Sequence, residues 1–279
     1  METWFLRAPA VPEGLRGLCP PGNNPGQWYT ESMTTTAQPV IRLVRVGTLP
    51  YATALQWQRD LVAARSAGRI PDTLLLLEHP PTITLGARAD PAHVLLSPDE
   101  LQRRGVAVVA SDRGGDVTYH GPGQLVGYPI LKLSHYGADL GRYLRGLEET
   151  IIRTLADYGV PGERAPGLTG VWVAGGRAKI CAIGVRLSAS GVTSHGFALN
   201  VSTDLSGFAQ IVPCGIADRA VTSLERLLGY APSLDAVSTT LVGHFAAVFG
   251  VEIRTEDGVQ WERERPADGQ AGFPMPVPE

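Results

Sequence analysis

Apolar residues recur at every third or fourth position in the most regular stretch of the chain. Residues 139–158 carry this period and predict an amphipathic helix. Residues 51–67 and 234–249 predict two further helices from similar patterns. A short fourth helix is expected to begin after Ser97, because serine caps a helix and Pro98 suits the first helical position.

Short apolar runs between glycine and proline residues predict the strands. They cover residues 40–47, 73–77, 106–110, 170–173, 178–187, 197–201 and 251–254. Several of these runs follow one another with no helix between them, so a doubly wound parallel sheet is not expected. The pattern predicts an α/β fold of the α+β type, with a mixed, mainly antiparallel sheet flanked by helices.

The regular patterns are confined to the middle of the chain. Residues 1–38 are rich in proline and glycine and show no sustained period, and residues 263–279 are similar. We therefore expect one folded domain over residues 39–262, followed by a disordered C-terminal tail. Two explanations stay open for residues 1–38: a disordered extension, or a start codon assigned too early, with translation beginning at Met33.

Charge and hydropathy exclude several classes of protein. A net charge of −3 leaves no basic surface that would neutralise many phosphates, so a general nucleic-acid binder is not expected. No run approaches the length of about 18 apolar residues that a membrane span needs. The first residues lack the apolar region of a secretory signal, and an odd count of three cysteines is typical of a reducing compartment. The sequence thus predicts a cytoplasmic protein.

Lysine is rare in this chain. Of 24 basic residues only Lys132 and Lys179 are lysines, so the other 22 are arginines. A GC-rich genome explains such a bias without any role in function. Lysine can nevertheless lose its proton inside a protein, whereas arginine cannot. Each remaining lysine is therefore a candidate for acid–base chemistry.

Residues 113–124, with the sequence RGGDVTYHGPGQ, place glycines around a short polar strand. Glycine lets a ligand approach backbone N–H groups closely. Arg113 is suited to hold an anion or a carbonyl group, and His120 is suited to donate a hydrogen bond. The alternative is an ordinary hairpin with glycine turns and a surface histidine. The segment matches neither the dinucleotide-binding glycine motif nor the phosphate-binding loop.

Cys214 stands between Pro213 and Gly215, which places it on a loop. Loop cysteines are often exposed, and their thiols can be reactive. The alternative is that Cys214 is a small buried apolar residue, as most free cysteines are.

Lys179 lies one residue inside the apolar strand predicted over residues 178–187. Strict alternation along a strand would place Lys179, Cys181 and Ile183 on one face. Burial makes a lysine lose its proton more easily, which suits a base beside a cysteine nucleophile. The alternative is a lysine whose ammonium reaches water at the strand end.

A cysteine and a lysine together indicate acyl transfer through a thioester. A cysteine–histidine pair is the commoner solution, so His120 and His195 are candidates as well. No metal site is expected, because the six histidines are scattered and no H-x-x-x-H or C-x-x-C spacing occurs.

Four segments occur in the order found in one enzyme family. They are RGGDVTYHGPGQ at 113–124, GGRAKICAIGVR at 175–186, TSHGFALN at 193–200 and PCG at 213–215. Together they resemble the lipoyl(octanoyl) transferase family over residues 40–228. The resemblance implies the fold of the biotin and lipoate protein ligases. It also implies transfer of an octanoyl or lipoyl group from acyl carrier protein to a lysine of a lipoyl domain, with no cofactor.

The resemblance assigns roles by position. Cys214 would carry the acyl thioester, and Lys179 would lower the pKa of that thiol and shuttle the proton. The family more often has a small residue where this chain has Cys181, which adds a second thiol on the expected Lys179 face. The residues that would bind the acyl substrate are Arg113, Gly114, Gly115, Asp116, Val117, Thr118, Tyr119, His120, Ala182, Ile183, Gly184, His195, Gly196 and Phe197.

The acceptors that the resemblance implies are the lipoyl domains of 2-oxoacid dehydrogenase complexes and the glycine cleavage H protein. Two other functions fit the same fold. One is an ATP-dependent lipoate ligase, which would need no cysteine, so that Cys214 argues against it. The other is a non-catalytic module that binds acyl carrier protein, against which the presence of both Cys214 and Lys179 argues.

Overall fold

A computed structural model of the protein describes residues 38–212 and 219–256. Its α-helices are α1 Tyr51–Ser66, α2 Pro98–Arg103, α3 Leu140–Asp157, α4 Leu224–Leu228 and α5 Leu234–Phe249. Its strands are β1 Val40–Thr48, β2 Asp72–Glu78, β3 Thr82–Leu85, β4 Ala107–Ala110, β5 Val117–His120, β6 Gln124–Ile130, β7 Glu163–Ala165, β8 Leu168–Val173, β9 Ala178–Leu187, β10 Thr193–Asn200, β11 Ala220–Val221 and β12 Glu252–Thr255.

Two sheets organise these strands. The larger sheet runs β12-β1-β2-β6-β10-β9-β8-β7, and β11 pairs with β9 beside this path. The smaller sheet runs β4-β3-β5. Neighbouring strands are antiparallel except in the β1–β12, β1–β2, β3–β4 and β11–β9 pairs. The predicted fold class, with its mixed and mainly antiparallel sheet, is confirmed.

The helix predictions agree with the structure to within a residue at each end. Helix α3 begins after Asp139, whose carboxylate accepts a hydrogen bond from the Arg142 N–H at 3.0 Å. Helix α5 begins after Ser233, which caps it through the Ala236 N–H. Ser97 caps α2 as expected, through the Glu100 N–H. These side chains replace the backbone acceptors that the first turn of a helix lacks.

The larger sheet is covered by helices on both faces. Leu74 and Leu76 of β2 belong to the apolar cluster that contains α3 and α5. Leu75 and Leu77, the alternate residues, belong to the cluster that contains α1. This two-sided burial explains why β2 is a continuous apolar run rather than an alternating one.

The predicted domain limits fall mostly on undescribed residues. The segments proposed as an extension and a tail, residues 1–38 and 263–279, lie outside the described residues except for residue 38. The domain boundaries therefore stay predictions. None of the helices in the described ranges combines the length and the apolar character needed to cross a membrane.

Candidate active site

Strands β9 and β10 form one wall of a cleft of about 580 Å³. Their register places Ala182 opposite Ala198, Ile183 opposite Phe197 and Gly184 opposite Gly196. The cleft brings together most of the residues predicted to bind the substrate. Those that line it are Arg113, Gly114, Gly115, Asp116, Thr118, His120, Ala182, Ile183, Gly184, His195, Gly196 and Phe197, together with Lys179.

Val117 and Tyr119 lie outside the cleft. Alternation along β5 directs Thr118 and His120 to the cleft and the two intervening side chains to the opposite face. There Val117 and Tyr119 join the apolar cluster of the smaller sheet. The expectation that every residue of the 113–120 segment lines the site thus ignored the two faces of the strand.

The glycine segment lies directly against β9. The Gly114 N–H donates to the Val185 carbonyl at 3.0 Å. A β-carbon at Gly184 would stand only 2.7 Å from the Gly114 carbonyl oxygen. Real side chains do not approach a backbone oxygen so closely. Glycine at position 184 is therefore what lets this segment close one side of the cleft.

Arg113 holds carbonyl groups of the protein itself. Its guanidinium is buried and donates to the carbonyl oxygens of Thr84, Gly114 and Asp116 at 2.8, 3.1 and 2.7 Å. It also donates to the Thr84 hydroxyl. The sequence predicted that Arg113 holds an anion or a carbonyl group. In the structure it fixes the shape of the glycine segment and also lines the cleft.

A β-bulge changes which side chains share a face on β9. Trp172 of β8 pairs with Lys179, but its neighbour Val171 pairs with Cys181 rather than Ile180, so the register shifts by one residue. Ile180 and Cys181 consequently both pack in the core. The expectation that Lys179 and Cys181 share a face is wrong, because strict alternation does not hold across a bulge.

Cys181 is inert in these surroundings. Its side chain is fully buried, and burial raises the pKa of its thiol far above the usual range. A thiol that does not ionise is a poor nucleophile. The second thiol near Lys179 is therefore a packing residue.

Lys179 lies where the cleft meets a second, small cavity of about 30 Å³. Its ammonium nitrogen stands 4.6 Å from the centre of the Trp172 ring. The guanidinium carbon of Arg219 stands 5.1 Å from the same centre. Both distances are within the range of a cation–π contact. Two cations thus gather around one buried indole.

Cys214 lies outside the described residues. The residues on either side of its segment are described. Val212 donates its N–H to the His93 carbonyl at 2.8 Å. Arg219 donates to the Gly176 carbonyl at 2.9 Å and contacts the Trp172 ring. The chain thus re-enters the described structure beside Lys179.

A cluster of five aromatic rings forms another part of the site, which we call the imidazole wall: Tyr51, His79, His120, Tyr128 and His195. Ring centres of His79 lie 5.0 Å from Tyr51, 5.5 Å from His120 and 5.9 Å from Tyr128. Tyr128 in turn lies 6.4 Å from His195. All of them except His79 line the cleft.

Burial keeps the three imidazoles neutral. It lowers the pKa of His79 to about 4, and it lowers that of His120 well below the ordinary value, where the neighbouring His79 imidazole further disfavours a second proton. Burial also lowers the pKa of His195, although the carboxylate of Asp112 opposes it. The same loss of water raises the pKa of Tyr51 and Tyr128.

Hydrogen bonds define the tautomers of this wall. His79 Nδ1 donates to the Leu49 carbonyl at 2.6 Å, so its Nε2 accepts from the Tyr128 hydroxyl at 2.7 Å. His120 Nδ1 donates to the Gln124 side-chain oxygen at 2.8 Å. The remaining nitrogen of His120, Nε2, is therefore a lone-pair acceptor.

His195 has a similar arrangement with an acidic partner. Its Nε2 donates to Asp112 at 2.7 Å, which leaves Nδ1 as the lone-pair acceptor. Burial disfavours ionised Asp112, but the hydrogen bond from His195 and the charge of Arg186 outweigh it and hold the pKa of Asp112 below its usual value. In the described part of the protein, His195 Nδ1 and His120 Nε2 have no hydrogen-bond partner.

Several site residues escaped the sequence analysis. Two of them, Tyr51 and Tyr128, belong to the imidazole wall, and Asp112 accepts a hydrogen bond from it. Trp172 contacts Lys179, and Arg219 contacts the same Trp172 ring. Asp112 alone carried a signal, since it directly precedes the glycine segment. The neighbours of the other four residues in the sequence form no motif that points to a site. Among the described residues, no three metal-ligating side chains of the His, Cys, Asp and Glu type cluster to hold a metal ion.

Solved structures with this fold include lipoate protein ligases. The bi-partite lipoate protein ligase of Thermoplasma acidophilum superposes with a TM-score of 0.62 and 19% identity, covering 82% of this chain and 91% of that one. Lipoate-protein ligase A bound with ATP gives a TM-score of 0.62 and 18% identity, covering 82% of this chain and 93% of that one. At these identities the likeness concerns the fold.

Sequence comparisons extend this likeness to the family. A model of the lipoyl protein ligase A/B catalytic domain matches residues 50–246. An octanoyltransferase of Chloroflexus aurantiacus is 65% identical over 211 residues, which cover 76% of this chain and 95% of the relative. One from Roseiflexus sp. is 57% identical over 212 residues, covering 76% and 88%. The chain therefore belongs to the lipoyl protein ligase A/B catalytic-domain family, within which it is an acyltransferase of the octanoyltransferase type.

Proposed function

We propose that this enzyme transfers an octanoyl or lipoyl group from acyl carrier protein to a lysine of a lipoyl domain, through a thioester on Cys214. The acceptors would be lipoyl domains of 2-oxoacid dehydrogenase complexes and the glycine cleavage H protein. The relatives named octanoyltransferase support the acyl group and the reaction class. The observation that carries the proposal is the position of Lys179, which lines the cleft and lies beside the residue that follows the Cys214 segment.

In the first step the Cys214 sulfur attacks the carbonyl carbon of the donor thioester. The new carbon–sulfur bond replaces the bond to the donor sulfur. Lys179 takes the thiol proton and passes it to the departing thiolate of the carrier. The donor is already activated as a thioester, so this step consumes no nucleotide.

In the second step the amine of the acceptor lysine attacks the acyl-enzyme. An amide bond forms, the bond to the Cys214 sulfur breaks, and a proton from the amine returns to that sulfur through Lys179. The exchange of one thioester for another changes the free energy little, because the two thioesters are of similar energy. Formation of the amide then drives the reaction forward. Lys179 thus serves first as base and then as acid within each step.

The cleft suits an apolar chain. Ile183, Val185, Phe197 and Ala198 present apolar surface along β9 and β10, and Leu144 adds to it from α3. Burying one CH₂ group stabilises the complex by about 0.8 kcal/mol. Backbone N–H groups of the glycine segment are candidates for holding the carbonyl oxygen in the transition state.

Intact-mass spectrometry tests the proposal directly. After incubation with octanoyl-acyl carrier protein and no ATP, the enzyme should gain the mass of one octanoyl group, which hydroxylamine should remove. Cys214→Ala should abolish the gain, and the matched variant Cys181→Ala should keep it. An adduct that survives in Cys214→Ala would overturn the role of Cys214, and transfer that occurs only with free fatty acid and ATP would overturn the proposal in favour of a ligase.

A further inference from the structure

The indole of Trp172 is placed against Lys179 by the strand register. The two residues stand directly opposite each other on β8 and β9, so their side chains lie on the same face. The Trp172 side chain is 1% exposed, and the ring lines the small cavity together with Lys179 and Arg219. The bulge that follows turns Val171 and Cys181 toward the core on the other face.

Two cationic side chains contact the Trp172 ring. The Lys179 nitrogen lies 4.6 Å from the ring centre and the Arg219 guanidinium carbon lies 5.1 Å from it. Arg219 is held in place by its hydrogen bond to the Gly176 carbonyl. The indole therefore links the lysine to the residue that directly follows the Cys214 segment.

An aromatic face differs from a carboxylate as a partner for a lysine. The ring attracts an ammonium through its quadrupole, but it accepts no proton and holds no full charge. The contact therefore orients the ammonium while favouring its charged form less strongly than a carboxylate would. Such a contact suits a lysine that takes and returns a proton within one catalytic cycle.

We propose that Trp172 is the positioning residue for Lys179, acting through a cation–π contact that holds the amine at the acyl-transfer site and ties it to Arg219. This inference rests on the proposed role of Lys179 in acyl transfer. A purely structural indole would need only its shape, whereas a positioning indole needs the negative charge of its ring face.

Fluorinated tryptophans separate these two roles. Added fluorine atoms weaken the negative ring face while leaving the size of the side chain nearly unchanged. With one to four fluorines at Trp172, kcat should fall stepwise, by about 5- to 30-fold over the series, because a cation–π contact is worth a factor of this order. KM for the octanoyl donor should stay constant. The same series at Trp57, buried against the other face of the sheet, should leave kcat unchanged.

Ordinary variants give a second readout. Trp172→Phe keeps a smaller aromatic face and should retain part of kcat, whereas Trp172→Leu should lose more, even when both variants melt at similar temperatures. A flat kcat across the fluorinated series, with normal octanoyl loading of Cys214, would overturn the inference and leave the proposed function standing. If the unsubstituted enzyme takes up no octanoyl group on Cys214, the proposed function fails, and the inference falls with it.

Discussion

Lys179 and the imidazole wall lie at different positions along strand β9. His195 of the wall pairs with Val185, six residues beyond Lys179 on β9 and so roughly 20 Å along the strand. Around Lys179 the protein gathers two cations on one indole. At the wall, burial lowers the pKa of three histidines and so keeps their rings uncharged.

This difference in charge would suit the two parts of the cleft to different tasks, proton transfer at Lys179 and binding of the acyl chain at the wall. Charge is useful where a thiolate must be stabilised and protons must move. It is costly where an apolar chain displaces water, because a buried charge without a partner is strongly unfavourable. Under the proposed function, the cations at Lys179 would mark the reactive end of the cleft and the neutral imidazoles the end that binds the acyl chain.

The largest effect is expected from Lys179→Arg. The substitution keeps a positive charge but removes a group that can lose a proton. Turnover should fall by about 10²- to 10⁴-fold, as for the loss of a general base. The matched control is Lys132→Arg, since Lys132 is the other lysine of the chain and contacts the Ser190 carbonyl at the surface. Near-normal turnover in Lys179→Arg would mean that only its charge matters.

Acid should destabilise the protein through His79. The folded state lowers the pKa of His79 to about 4 by burial, against an unfolded value of about 6.5. As the pH falls through this window, the unfolded chain binds a proton that the folded chain does not, so stability is lost. The expected loss from His79 is about 3 kcal/mol between pH 7 and pH 4.

Urea unfolding at several pH values measures this loss. Replacing the histidine in His79→Gln should make the free energy of unfolding less dependent on pH by about that amount. An equally steep pH dependence in the variant would show that His79 is not the buried neutral group described above.

A smaller effect is expected where the glycine segment meets β9. Gly184→Ala would put a methyl group 2.7 Å from the Gly114 carbonyl oxygen, so the backbone of the segment must shift. Because small displacements at a reacting site are costly, kcat/KM should fall by about 10- to 100-fold. Gly243→Ala on α5 is the matched control, since nothing lies within 4 Å of its new methyl group. It should stabilise the protein by up to about 1 kcal/mol and leave kcat/KM unchanged. Normal kcat/KM in Gly184→Ala would refute the close packing.

Most helices and several buried strands were predictable because their signals are local, but the buried strands β3 and β6 were not predicted. The 3.6-residue period and the capping residues Asp139 and Ser233 lie within the predicted segments. The apolar run of β2 likewise marked a buried strand. The short helix α4 was missed, because five residues are too few for a period to appear.

The site was predictable only in part, since its geometry depends on tertiary contacts. Motif order pointed to Lys179 and to the glycine segment, but the bulge that turns Cys181 into the core is a property of the β8–β9 pairing. Trp172 and Tyr128 likewise gain their roles from neighbours far away in the sequence. The strand position of the proposed catalytic lysine could thus be predicted from sequence, whereas its partners required the fold.

The proposed function requires Lys179 to activate the Cys214 thiol, and the pH dependence of alkylation measures this activation. Iodoacetamide labelling of each cysteine can be followed by peptide mass spectrometry, and buried Cys181 should stay unlabelled as long as the protein is folded. We expect the midpoint for Cys214 to move to higher pH by about one unit or more in Lys179→Ala, because a nearby cationic lysine lowers the pKa of a thiol. The same midpoint in both proteins would show that Lys179 does not activate the thiol.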